Sequence, residues 1–178
     1  MAVGQLSADP GFGRGQTLGV KDADQGKSVE GTIKVFTDTD PRTSEFGKFY
    51  SNRPVTCVAV RNTSGGPLLP GTAVKFKAAA ILTEVDGAAA DADTAPYGIV
   101  DEYLPASGVA DKDVFWVVAA GPTKILTAAT LAAGAKITIT SGKAAAAATN
   151  TVAGFAIQAP EGTGATKAVR ALIGGIAD

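Results

Sequence analysis

Histidine is absent from this 178-residue chain. Without it there is no Ser-His-Asp or Cys-His catalysis, and the commonest zinc and copper ligand is missing. Cysteine occurs once, at Cys57, so no disulfide can form within the chain. A lone cysteine becomes a nucleophile only beside a base. Cys57 lies in the run Val55-Thr56-Cys57-Val58-Ala59-Val60, where it reads as a small core hydrophobe. Charge of one sign is also lacking, since 16 basic and 17 acidic residues leave a net charge of −1. No global basic field draws nucleic acid, and aromatics at 6% are too sparse for a base-stacking surface. No apolar run reaches the roughly 18 residues of a membrane span. The start, Met1-Ala2-Val3-Gly4-Gln5, lacks the charged-then-apolar pattern of a signal peptide. No metal, cofactor, nucleic acid or membrane is therefore expected.

What is present is a chain rich in small residues, with 22 glycines. Its length suits one domain, or one domain plus an arm. Residues 1–52 are polar, glycine-rich and weakly periodic, with one alternating stretch, Gly31-Thr32-Ile33-Lys34-Val35-Phe36-Thr37. Alone, this segment buries too little apolar surface to offset its ordering entropy. It reads as an extended N-terminal arm that orders against the body, a neighbouring subunit or a partner.

Residues 53–178 read as the body. Strands are expected at 55–60, 72–77, 97–103, 114–118, 136–140, 152–157 and 168–173. The run Val114-Phe115-Trp116-Val117-Val118 is apolar throughout, as in a strand covered on both faces, and places Trp116 in the core. Alanine favours helix, and residues 126–134 could form one or two helical turns ended by Gly134. The run at 144–148 is too short for a stable free helix. The fold class is all-β, a small β-barrel or β-sandwich.

The body echoes itself. Leu69-Pro70-Gly71-Thr72-Ala73-Val74 resembles Ala132-Ala133-Gly134-Ala135-Lys136-Ile137. Tyr97-Gly98-Ile99-Val100 matches Ala153-Gly154-Phe155-Ala156, and residues 113–118 match 168–173. The pattern predicts two related three-stranded units sharing one core.

Candidate chemistry is thin. Gly11-Phe12-Gly13-Arg14-Gly15 has neither the preceding strand nor the following helix of a phosphate-binding loop, and Gly26-Lys27-Ser28 lacks the upstream glycine of a P-loop, where Lys21 stands. Asp-X-Asp pairs at 22/24, 38/40, 91/93 and 111/113 never continue into a full calcium loop and read as turns. Asp101 and Glu102 adjoin in an expected strand, so they should point to opposite faces as solvent or interface charges. The arm and its border with the body hold Phe12, Arg14, Phe36, Arg42, Phe46, Phe49, Tyr50 and Arg53. Aromatic and arginine side chains in so polar a segment are expected as partner contacts, since these types anchor interfaces.

The stretches 69–76, 96–100, 131–137 and 152–156 give the chain a resemblance to the head decoration, or cement, proteins of tailed bacteriophages. The shared pattern, a small residue and glycine opening a strand, runs through residues 55 to 174. The resemblance implies a structural virion protein on the outer surface of the capsid, made in the host cytoplasm. Its partner would be the major capsid protein, whose neighbouring subunits it would clamp. It also implies a homo-oligomer, a trimer in preference to a dimer; with no histidine and no convincing nucleophile or metal set, no enzymatic activity is expected. The glycine-rich segment before the first clear strand departs from the pattern, and either lies on the capsid or belongs to a second small domain. The alternative is a carbohydrate- or receptor-binding module of a virion, against which Trp116, in an apolar strand, offers no exposed sugar platform.

Overall fold

A computed structural model describes residues 11–20, 22, 24–40, 48–92, 96–148 and 152–174. It contains ten strands: β1 (Ile33–Asp40), β2 (Lys48–Asn62), β3 (Ala73–Phe76), β4 (Glu84–Ala89), β5 (Tyr97–Val100), β6 (Val114–Leu126), β7 (Lys136–Thr140), β8 (Lys143–Ala146), β9 (Gly154–Ala156) and β10 (Ala168–Ile173). They form one sheet in the order β1-β2-β4-β3-β5-β6-β10-β9-β7-β8. The sheet is mixed, because β2 and β4 run parallel while the other paired strands are antiparallel.

The all-β expectation holds, but the architecture is neither a closed barrel nor a two-sheet sandwich. A further pairing of β2 with β6 bends five strands, β2-β4-β3-β5-β6, into a partial ring. The ring is thin where β2 meets β4, with only Arg61 opposite Glu84 and Asn62 opposite Val85. β1 and β8 remain as the two edges of the sheet.

Two hydrophobic clusters follow from this geometry. Val58, Val60, Val74, Phe76, Val85, Val100, Phe115 and Val117 come from all five ring strands and fill the ring. Val55, Cys57 and Ala59 of β2 and Val114, Trp116 and Val118 of β6 face the other way, and pack with Ile137, Ile139, Val169, Ala171 and Ile173. Side chains alternate faces along a strand, so β2 and β6 are buried on both sides. The uninterrupted apolar run of β6 has this cause.

The strands of the two echoed stretches share an order. β3 to β6 lie as β4-β3-β5-β6, and β7 to β10 lie as β8-β7-β9-β10. Each group has four strands rather than three, because β4 and β8 add a hairpin arm to each. Gly71 and Gly134 both take left-handed backbone, with φ of 76° and 79°. The Gly71 N–H donates to Val100 O at 2.9 Å, and the Gly134 N–H donates to Ala156 O at 2.8 Å. Val100 N–H donates to Thr72 O, and Ala156 N–H to Ala135 O, each at 2.9 Å. Val74 lies opposite Gly98 and Ile137 opposite Gly154.

Two local expectations are corrected, over 126–134 and 97–103, and two further features are added. Residues 143–146 of the alanine run form β8, paired with β7 across a turn in which Ser141 and Gly142 both have positive φ. Residues 126–134 form no helix; Thr127 bridges Ala144, and a turn holds Gly134. The strand expected over 97–103 stops at Val100. The boundary placed between residues 52 and 53 falls inside β2.

Candidate functional site

The described part of the N-terminal segment lies against β6 and β2. Thr17 bridges Phe115, and Leu18 N–H donates to Val114 O at 2.9 Å. Phe12, only 6% exposed, stacks on Trp116 with ring centroids 4.9 Å apart. The Trp116 Nε1–H donates to Phe12 O at 3.2 Å, and Phe36 of β1 meets the same indole edge-on at 5.3 Å. Trp116 is therefore a core residue that staples two parts of the chain to β6.

Two buried arginines do the same with charge. Arg14, 4% exposed, donates from Nε and Nη2 to Asp101 Oδ1 at 3.1 and 2.8 Å, and lies 4.6 Å over the Tyr103 ring. Gly15 N–H donates to Asp101 Oδ2 at 2.6 Å. Arg61 of β2 donates to Glu30 Oε1 and to the carbonyls of Gln25 and Lys112.

The Asp101–Glu102 pair differs from expectation. Because β5 ends at Val100, the two carboxylates do not alternate as on a strand, and both turn inward. Arg170 of β10 reaches Glu102 from Nη1 at 3.1 Å and Asp38 of β1 from Nη2. Arg14 Nη2 comes within 3.8 Å of Glu102. A buried network of two arginines and three carboxylates thus ties the N-terminal segment, β1, the turn after β5 and β10 together. Burial pushes the Glu102 carboxyl above its ordinary value, and Arg170 and Arg14 offset only part of this. Burial works against the charge of Arg14, yet Asp101 beside it keeps that guanidinium above its ordinary value. Such a network is built to hold structure, since a buried charge without its partner is costly.

No reactive group emerges from these contacts. Burial pushes the Cys57 thiol up to about 12, which makes it a poor nucleophile. Among the described residues, no group of three or more acidic or thiol side chains is arranged to hold a metal ion. Of the Asp-X-Asp residues, Asp91 accepts from Ser141 N–H, Asp111 from Gly65 N–H, and Asp113 from Val20 and Val114 N–H.

Part of the exposed apolar surface lies in two cross-strand rows. Val35 of β1 lies opposite Thr56, which lies opposite Ala120 of β6. Lys136, Phe155, Leu172 and Pro122 form a second row across β7, β9, β10 and β6. The rows meet at an open groove of about 470 Å³, lined by Arg53, Pro54, Thr56, Ala120, Gly121 and Leu172. Val35 is 60% exposed and Phe155 46%.

Of the side chains expected to contact a partner, Phe12 and Arg14 are buried within the molecule, Phe36 is half-buried against Trp116, and Arg53 is exposed beside the groove. Arg42 and Phe46 lie outside the described residues; Phe49 sits in β2, opposite Thr39, and Tyr50 follows it. Sequence reasoning missed the exposure of Val35 and Phe155 and the half-burial of Leu172 beside the groove. Their alternation was visible, but which face is covered depends on strand order.

No protein-family model matches the chain, and no curated protein is similar to it in sequence. Among solved structures, the head fiber gp8.5 N base of bacteriophage phi29 is similar, with 14% identity and a TM-score of 0.46, over 70% of this chain and 98% of that one. A likeness of that size transfers neither partner nor activity.

Proposed function

We propose that this chain is a non-enzymatic structural protein of a phage virion, which binds the outer surface of the capsid and stabilises contacts between major capsid subunits. The observation that carries the reading is the pair of glycine-led frames. The stretches through which the sequence resembles the cement proteins, at Gly71 and Gly134, occupy equivalent places and make equivalent hydrogen bonds.

Support also comes from where the charged and sulfur groups go. Arg14, Asp38, Asp101 and Arg170 are paired in the network, Arg61 pairs with Glu30, Asp113 accepts from backbone N–H groups, and the thiol is sealed in the core. The mechanism would be mechanical. Surface buried jointly against neighbouring subunits raises the free energy needed to separate them, and a stable site buries on the order of 1,600 Å² in total. Arg42, Phe46, Phe49, Tyr50 and Arg53 are proposed as contacts, and the protein is proposed to act as a homo-oligomer, a trimer before a dimer.

The test is co-sedimentation of the purified protein with emptied, expanded capsids of the phage that encodes it. Saturable binding at a whole-number ratio per capsid subunit is expected. Protein left in the supernatant at every salt concentration would overturn the reading, and hits on a glycan array would then favour a carbohydrate-binding module.

A further inference from the structure

Seven large hydrophobic side chains are exposed among the described residues. Ile33 and Val35 lie two apart on β1, hence on one face, and that face carries Thr56 and Ala120 in the same row. Phe155 stands in the second row beside Leu172, and the groove at Pro54 and Gly121 joins the two rows. The result is a largely apolar strip across β1, β2, β6, β10 and β9, half-buried at Thr56, Ala120 and Leu172 and most exposed at Val35 and Phe155. Monomers rarely leave such surfaces uncovered.

Its charges are of one sign. Among the described residues, the rows and the groove lining contain Lys136 at one end and Arg53 at the junction, both exposed, and no acidic residue. A second copy laid face to face would therefore bring apolar surface to apolar surface but offer these cations no carboxylate. Electrostatic complementarity selects against that pairing.

We infer that this face is the docking surface for an apolar segment of a different protein, bordered by carboxylates that meet Arg53 and Lys136. The inference rests on the capsid-binding reading, in which that segment belongs to the major capsid protein. Val35 and Phe155 are its apolar anchors, and the groove beside Leu172 takes the most deeply seated side chain of the partner.

The experiment is a binding titration on emptied, expanded capsids with the wild type, Val35→Ser, Phe155→Ser, Lys136→Glu and, as a control, Ile81→Ser. Ile81 is an exposed hydrophobe in the turn before β4, outside this face. All five should melt alike, since the altered side chains are exposed. Val35→Ser and Phe155→Ser should each bind about tenfold more weakly, as expected for anchor residues. Lys136→Glu should also weaken binding, and Ile81→Ser should not. Wild-type binding that all four variants reproduce would overturn the inference and leave the capsid reading standing. So would a dimer in sedimentation velocity that Phe155→Ser dissociates, because the occupant would then be a second copy. Failure of the wild type to bind would remove the capsid reading, and this inference with it.

Discussion

The indole N–H of Trp116 donates to the backbone carbonyl of Phe12, and the Phe12 ring stacks on that same indole. One side chain of the sheet thus fixes both the backbone and the side chain of a residue 104 positions earlier. Removing the ring leaves a cavity against Trp116 that surrounding atoms fill only in part. Phe12→Ala is expected to cost about 3 kcal/mol, read as a lower denaturation midpoint in urea. The single tryptophan reports the site directly, so its emission should shift to the red before global unfolding. An unchanged midpoint would mean that the N-terminal segment contributes nothing to the fold.

The Arg14–Asp101 pair is buried on both sides. Asp101→Asn keeps the shape but leaves the buried guanidinium only the more distant carboxylate of Glu102, at 3.8 Å, and a loss of about 3 kcal/mol is expected. The double replacement Arg14→Met with Asp101→Asn removes both charges and should recover much of that loss. Additive effects of the two single changes, measured as a double-mutant cycle, would contradict the pairing.

Glu102 makes stability depend on pH with a definite sign. Burial raises its folded-state pKa above the ordinary value of 4.5, despite Arg170 and Arg14. Between the ordinary and the raised value, the folded protein holds a proton that the unfolded chain has lost. Its contribution is therefore most favourable below pH 4.5 and declines as pH rises through that window. Glutamine cannot titrate. The Tm of Glu102→Gln minus that of the wild type should increase from about pH 4 to about pH 7. A difference that shrinks would reverse the assignment.

Gly98 and Gly154 occupy matching places and should respond differently to alanine. A Cβ at Gly154 would sit 2.1 Å from Leu172 O, which belongs to the backbone of the neighbouring strand. At Gly98 it would meet the Val117 Cγ2 at 2.6 Å, a side-chain atom. At Gly134 no heavy atom lies within 4 Å, and only the left-handed backbone resists, a strain of about 1–2 kcal/mol. The expected order of destabilisation is Gly154→Ala, then Gly98→Ala, then Gly134→Ala, by thermal melting. A Gly134→Ala variant less stable than Gly154→Ala would sink it.

Cys57 should be inert. A thiol buried in the core, with a pKa of about 12, is expected not to react with a disulfide reagent at pH 8 until the chain unfolds. Rapid labelling of the native protein would contradict its place on the buried face of β2.

Most strands were legible because their signals are local. The alternation in Lys136–Thr140 and the glycine-led starts of β3 and β7 need only a few neighbouring residues. β4 was missed because Glu84–Ala89 holds one bulky apolar residue and a glycine, and gains its place from pairing with β3 and β2. β8 was obscured by alanine's helix propensity, although Ser141-Gly142 was a hairpin signal. β6 runs on past Pro122, which reads as a strand end; Gly121, with φ of 103°, lets the chain pass and pair with β10. The ionic network was illegible for a different reason. Arg14 meets Asp101 across 87 positions and Arg170 meets Asp38 across 132, and no periodicity links residues so far apart.

The contact between Arg170 and Asp38 orders events in time. The first strand finds its buried counter-charge only on the last, and the N-terminal segment finds its seat only when residues 113–116 exist. A ribosome releasing the chain from its N-terminus therefore exposes Asp38 and the segment around Phe12 before their partners on β10 and β6 exist, although β1 can already pair with β2. Folding must wait for nearly the whole chain, and with pairings this distant it should be slow. The edge strand β1, with Ile33 and Val35 outward, is the part most exposed to wrong partners during that wait.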